Sequence, residues 1–463
     1  MNEPLAAGTS PALLSKESLA GTFFSAIVAP VSQADARCDW LRRVLVLFAL
    51  LLLAVTWKLW TPHVSYPQVP LLDAFRATPA WLQWGVLGGQ AISLLMAIAA
   101  PKNDRRMWRF ALASFAGLTL FAALVDQHRF QPWAYQMAVI GVVLALCPAT
   151  RAIVLLRVLT VSIYFFSAVS KIDYVFLHTV GQQLSGALLE FVHIDADAFS
   201  PITRLRLALL LPIGELLVAC GLCWHRTRFA ALIAAIAMHV MLFFAVGPWG
   251  LSHKPGVLVW NLFFIAQNLL LFTNRFPAWA VSKEESSDEK PSQPASTTSN
   301  GLGVRFAHGL VIAVVLLPLL EPWGRFDHWL AWGLYAPKSS RAQTFIHRSA
   351  RDRLPKALQS HLQEEQPDSP WLRLRIDNWS LNALDVPIYP QDRFQLGVAE
   401  AVGRRYGLNR LLRVVLMTPA DRFTGKREST TLEGVQAIVA ARKRYWFNTH
   451  PGVLYVQNKS TSD

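Results

Sequence analysis

Long apolar runs recur along the chain, broken by short segments where arginine, lysine, aspartate and proline gather. Runs of this length predict membrane-spanning helices, at about 41–60, 80–100, 109–125, 133–149, 152–172, 203–224, 228–247, 256–273 and 306–321. The last run leads into EPWGRFDHWLAWGLYAP (Glu321 to Pro337), whose aromatic content predicts an interfacial segment. Beyond 338 the pattern changes. WLRLRIDNWSL and RLLRVVLM alternate as strands do, whereas DRFQLGVAEAVGRRYG and LEGVQAIVAARKRYWF read as helices. RAQTFIHRSARDRLPKALQSHL reads as helical pieces interrupted at Pro355. The expected fold is an all-α polytopic membrane domain of about nine transmembrane helices, followed by a small extracytoplasmic α+β domain. Its segments are a cytoplasmic N-terminal stretch (1–40), the helical membrane domain (41–275), a linker (276–305), the last span with its interfacial segment (306–337) and the soluble domain (338–463). The linker contains the Ser/Pro-rich VSKEESSDEKPSQPASTTSNG, too poor in apolar residues to fold by itself.

Composition supports a membrane protein: of 463 residues, 53% are hydrophobic and only 16% charged. A net charge of +14 first suggests loop anchoring and anionic lipid, and no basic motif with interleaved aromatics points to nucleic acid. Residues 1–40 lack the pattern of a cleavable signal peptide. The Lys/Arg bias places Lys102, Arg105, Arg106, Arg109, Arg151, Arg226, Arg228 and Arg275 on the inside, giving a cytoplasmic N-terminus and an external C-terminal domain. Four cysteines lie in or near the membrane part and provide no disulfide framework for the C-terminal domain.

Candidate chemistry centres on IYFFSAVSKIDYVFLHTVGQQL (Ile163 to Leu184), read as the outer end of one hydrophobic helix. Thr160, Tyr164, Ser167 and Lys171 recur at helical spacing and share a face. A polar stripe ending in an ammonium inside a membrane segment is costly and marks a functional site, although a lysine near a helix end also snorkels to the interface. Glu215, His239 and Asn261 are further intramembrane polar residues, Glu215 expected nearer the middle and the others in the outer half. A lysine kept from water gives up its proton more readily, so a cavity joining these groups would suit base catalysis on a weakly acidic lipid. His239 reads either as a second acid/base group or as a packing histidine, and Glu215 as a partner for a cation or a structural acid. No metal-ligand spacing or phosphate-binding glycine loop appears, and Cys220-x-x-Cys223 lacks a redox setting.

SAVSKIDYVF, with Lys171, resembles the Lys-Leu-Asp segment of vitamin K-dependent γ-glutamyl carboxylases, and AMHVMLFFAVGPWGLSHKPGVLVWNLFF resembles their His-containing helix, glycine-bearing loop and following helix. The wider group is the horizontally transferred transmembrane (HTTM) domain superfamily, with many bacterial members, and the likeness covers roughly 40–275. It implies a bacterial inner-membrane protein in which Lys171 is the base that deprotonates reduced vitamin K or another quinol, with O2 and CO2 as co-substrates. His239 would be the second catalytic group. Tyr164, Ser167, Asn261 and Trp133 would contact substrate, no metal would be needed, and a protein or peptide would be the acceptor on the outer face. The loop DQHRFQPWAYQ departs from the carboxylases, with Gln131, Pro132 and Trp133 where an Asn-His pair is expected and His128 out of register. The likeness therefore implies quinol deprotonation and oxygen-dependent epoxidation ahead of carboxylation. The contrasting reading is a non-catalytic membrane protein whose outer domain binds a partner or lipid. A transporter has little support without an internal repeat.

Overall fold

A computed structural model describes residues 31–101, 104–273 and 301–457. The expected linker, apart from its last residues, and most of the N-terminal stretch lie outside these described residues. The bundle is built from α1 (Val31–Val55), α2 (Ala80–Ala99), α3 (Arg105–Val125), α4 (Pro132–Leu146), α5 (Ala149–Lys171), α6 (Val180–Phe191), α7 (Pro201–Cys223), α8 (Arg228–Val246), α9 (Pro255–Phe272) and α10 (Leu302–Leu316). A tighter 3-10 segment carries α10 on to Trp323.

Seven of these are long and apolar enough to cross a membrane: α2, α3, α5, α7, α8, α9 and the run Leu302–Trp323. They are consistent with a multi-pass membrane protein. Two segments expected to span fall outside that set. The helix at 132–146 has only 15 residues. The first begins ten residues before the expected Leu41 and carries Asp35, Arg37, Asp39, Arg42 and Arg43 in its early turns. Those arginines have a local reason: Arg37 donates to the Leu270 (2.7 Å) and Thr273 (2.8 Å) carbonyls at the end of α9, and Arg42 to the Ala97 carbonyl near the end of α2. They satisfy acceptors that a helix terminus leaves open. At its other end α1 stops at Val55, not Trp60, where the Thr56 hydroxyl donates to the Leu52 carbonyl (2.5 Å) and accepts from the Trp60 indole (3.1 Å).

Of the seven, α5 is the most enclosed, with 67% of its apolar stretch buried against 22–50% in the others. It packs against α1, α7 and α9. Polar side chains on it therefore face protein, where partners can offset desolvation. The chain does not continue as one helix to Leu184. It breaks after Lys171, and the Asp173 carboxylate accepts from the Phe176 amide (3.0 Å) to cap a short helix, Tyr174–His178, before α6.

The C-terminal domain is a five-stranded antiparallel sheet of order β2-β3-β1-β4-β5: β1 (Arg341–His347), β2 (Leu362–Gln363), β3 (Trp371–Leu374), β4 (Leu412–Met417) and β5 (Ser429–Glu433). Helices α11 (Ile376–Leu384), α12 (Asp392–Arg405) and α13 (Gly434–Ala441) accompany it. The segment expected to open as helix, RAQTFIH, is instead the central strand. Ala342, Thr344 and Ile346 alternate inward and its backbone pairs on both sides, so ladder bonds override a weak helical preference. WLRL is a strand, but the rest of that segment turns into α11. RLLRVVLM does supply β4, and α12 is almost wholly buried beneath β1 and β4.

This domain is seated on one end of the bundle and shares its apolar core. Arg393 of α12 forms a two-pronged pair with Asp327, which also accepts from the Tyr389 hydroxyl, and Arg393 Nε donates to Gln127 Oε1 of the bundle (2.7 Å). Lys58, on the short helix Trp57–Trp60 after α1, and Lys254, just before α9, converge on Asp385 at 2.6 and 2.8 Å. Gly397 lies where a Cβ would meet the Thr449 carbonyl at 2.4 Å and Val69 at 2.8 Å, so only glycine permits this approach.

Candidate functional site

Three groups of buried polar side chains occupy the bundle, and α5 contributes to each. The first is an ion pair at its C-terminal end. Lys171 Nζ lies 2.5 Å from Glu215 Oε2 of α7 and donates to Ser167 Oγ at 2.7 Å. Lys171 and Glu215 are 9% and 8% exposed, so the lysine does not reach out to solvent. The four-residue spacing of Ser167 and Lys171 lets one side chain support the other. Glu215, expected nearer mid-membrane, is at the level of the lysine.

The second group is a directed chain. His239 Nδ1 lies 2.9 Å from Asn261 Oδ1, an acceptor, so that ring nitrogen donates and Nε2 is left to accept from the Tyr164 hydroxyl (2.8 Å). The Tyr164 oxygen in turn accepts from Asn268 Nδ2 (2.5 Å), and Asn261 Nδ2 donates to the Val257 carbonyl (2.8 Å). Phe264 stacks on the imidazole, centroids 4.7 Å apart. Asn268 is fully buried and its Oδ1 has no hydrogen-bond partner among the described residues. The third group runs from Trp260 Nε1 to Gln136 Oε1 (2.7 Å), from Gln136 Nε2 to Gln267 Oε1 (2.9 Å), and from Gln267 Nε2 to Thr160 Oγ1 (2.5 Å). It links three helices, α4, α5 and α9, and fixes their register.

The structure thus joins Tyr164, His239 and Asn261 by direct hydrogen bonds, and groups Lys171 with Ser167. Trp133 stands apart from both. It lines a cavity of about 630 Å³ between bundle and C-terminal domain. Trp133, Val257 and Trp260 form part of its bundle wall, Trp329 and Tyr335 come from the connecting segment, and Ile376, Ile388 and Thr344 from the domain above. Lys171, Tyr164, Ser167, His239 and Asn261 do not line it. Trp260 is the physical join, since its ring faces the cavity and its indole N–H enters the Gln136 chain. Thr344 Oγ1 is a buried hydroxyl at the cavity with no hydrogen-bond partner among the described residues.

The sequence singles out neither Gln136, Gln267 nor Asn268, and it offers Glu215 a cation as partner only as one of two alternatives, without naming Lys171. Their signal was visible as amides and an acid inside apolar runs, the pattern that makes any intramembrane polar group suspect. No family model matches the chain, and no curated protein or solved structure matches it.

The loop after α3 carries a second polar cluster under the C-terminal domain. His128, fully buried, lies 3.0 Å from the Pro387 carbonyl, and burial pulls the imidazole down to about 4. Asp126 accepts from the Val69 and His128 amides at 3.3 and 3.2 Å, yet burial, only partly opposed by the Arg129 guanidinium, raises its carboxyl to about 6. The two act in opposite directions. A depressed histidine contributes stability that is complete above its unfolded value near 6.5 and is lost as pH falls towards 4, up to about 3 kcal/mol. A raised carboxyl costs stability above 6 and returns it as pH falls towards 3.8. Their sum is nearly flat in wild type. The expected result is that Asp126→Asn loses stability relative to wild type as pH falls from about 6 to 4, whereas His128→Gln gains over about 6.5 to 4. Chemical denaturation at four or five pH values, read as variant minus wild type, checks both signs.

Proposed function

We propose that this chain is an integral membrane enzyme that admits a quinol-like lipid between its bundle and C-terminal domain and uses Lys171 to take a proton from it. The reading places the N-terminus on the cytoplasmic side and the C-terminal domain outside. One observation carries it: a single side chain, Trp260, forms part of the wall of an aromatic-rich cavity and belongs to the hydrogen-bonded interior that surrounds α5. A cavity of about 630 Å³ is ample for a ring-bearing amphiphile. The Thr344 hydroxyl, without a partner among the described residues, supplies a polar contact there.

In this reading the Glu215 carboxylate takes up the Lys171 proton, leaving a neutral amine to accept one from the ring hydroxyl, and then releases its own proton to water. Tyr164 gives its one proton to His239 and His239 gives its N–H to Asn261, so the two residues brace the α5 face that carries Lys171. The resemblance to carboxylases supplies the oxidant, O2, and the product, a quinone epoxide. Lys171→Ala in proteoliposomes supplied with reduced vitamin K and O2 is expected to lower epoxide formation at least a hundredfold, the usual lower range for loss of a general base. Wild-type turnover that survives this substitution removes Lys171 from the chemistry.

A second reading rests on one observation as well: the expected base is ion-paired and does not line the cavity. There the protein binds an amphiphile or partner through its C-terminal domain without turnover. Trp133→Ala and Thr344→Val abolishing function, with Lys171→Met silent, would favour it.

A further inference from the structure

The C-terminal domain carries two large apolar side chains that nothing in the fold covers. Trp446 is fully exposed and Phe423 is 82% exposed. Both sit at the height of spanning-helix ends, and main-chain hydrogen bonds fix that height. The Arg422 carbonyl accepts from the Tyr174 amide (2.8 Å), and Arg422 Nη2 donates to the Val169 carbonyl (2.6 Å) in the last turn of α5. Phe423 is the next residue, at the tip of a turn closed by Asp421 on the Phe423 and Thr424 amides. On another side of the bundle, the Asn448 amide donates to the Leu71 carbonyl (3.0 Å), and the Leu71 amide to the Leu124 carbonyl (2.9 Å) in the last turn of α3. Trp446 lies two residues before Asn448. The helix ends at this level bear their own exposed aromatics, Trp81 and Trp84 at the start of α2 and Trp323 at the end of the α10 run. Such a belt marks the membrane–water boundary.

The charge around the two aromatics has one sign in excess. Residues 338–463 contain 20 lysines and arginines against 12 aspartates and glutamates. Lys443 and Arg444, three and two residues before Trp446, are exposed and pair with no acid among the described residues, while Arg442 pairs with Asp73. Lys426 is exposed beside Phe423, with Asp421 of the same turn and Glu428 as the nearby acids.

We infer that the C-terminal domain rests on the bilayer through these two points, Phe423 and Trp446 entering the headgroup–acyl boundary and Lys443 and Arg444 binding anionic headgroups. Amphipathic aromatics with adjacent cations are the composition that holds a peripheral surface at a membrane. The domain is then fixed to lipid as well as to the bundle, with its interior edge over the cavity. This surface is independent of the role of Lys171.

The test uses the full chain with Cys220→Ser and Cys223→Ser, labelled with a small fluorophore at Phe423→Cys, Trp446→Cys or, as control, Asp352→Cys. Asp352 lies on the exposed turn 348–353, whose hydrogen bonds stay within the C-terminal domain. In phosphatidylcholine–phosphatidylglycerol vesicles, labels at 423 and 446 are expected to lose most of their emission to a lipid-borne quencher and little to iodide, with the reverse at 352. Lys443→Gln with Arg444→Gln is expected to lower the ratio of lipid-quenched to iodide-quenched label at 446 by roughly fivefold per charge removed, and only when phosphatidylglycerol is present. Labels at 423 and 446 that iodide reaches as freely as 352 overturn the inference. Labels shielded from both quenchers also overturn it, because a second copy or another protein then covers the surface.

Discussion

Glu215→Ala is expected to destabilise the folded protein by about 3–5 kcal/mol, one of the largest effects of any single substitution in the bundle. Glu215 is the carboxylate 2.5 Å from the Lys171 ammonium, and both side chains are buried between α5 and α7. Removing the acid leaves a cation with Ser167 alone as a partner, in surroundings that solvate charge poorly. Removing both charges, as Lys171→Met with Glu215→Leu, is expected to recover most of the loss, because similar-sized apolar side chains avoid desolvation altogether. Thermal unfolding in detergent, arranged as a double-mutant cycle, measures this. A double-variant loss equal to the sum of the two single losses would show that the two residues are not coupled. The cycle also separates stability from chemistry, since the double variant folds but has no base.

The second large effect is expected at the seat of the C-terminal domain. Arg393→Ala removes both prongs on Asp327 and the donor to Gln127, leaving a buried carboxylate that, among the described residues, only the Tyr389 hydroxyl still serves. The expected cost is again about 3–5 kcal/mol. Unlike the loss at Glu215, it falls on the contact between two bodies. Limited proteolysis should therefore release the C-terminal domain well before the bundle unfolds. Asp327→Ala should behave alike, and the double variant should cost much less than the sum, because each single change already breaks the same unit. A global loss without early cleavage would place the pair's role in folding and not in docking.

Particular residues show how much of the site was legible in the sequence. The stripe Thr160, Tyr164, Ser167, Lys171 follows from helical spacing, and all four do engage partners from neighbouring helices or from α5 itself. Which partner each would meet was not legible. Glu215 is 44 residues from Lys171, and His239 is 75 from Tyr164. Helical period orders residues on one helix and is silent on the rotation of its neighbour. The cavity was less legible still. Its walls come mainly from four separate stretches, around 131–133, 251–260, 328–344 and 373–395, with Thr56 and Val180 added, none distinctive alone. The misread strand Arg341–His347 has the same cause: its short pattern fits either period, and pairing with β3 and β4 decides.

Sequence alone determined the quantities that depend on chain composition over a window. These are the apolar lengths that yield the bundle helices, the shift to a small mixed domain after 338, and the cost that makes Lys171, Glu215, His239 and Asn261 conspicuous. Each is a local transfer free energy, set by which residue is present and how its neighbours repeat. Tertiary structure alone decided that α5 lies at the centre, that Lys171 has Glu215 as its counter-ion, that Tyr164 hands its hydrogen bond to His239, and that Trp133 faces a different space. These depend on how helices rotate and pack against one another. Packing is a sum over contacts distant in sequence, which no window of the chain contains.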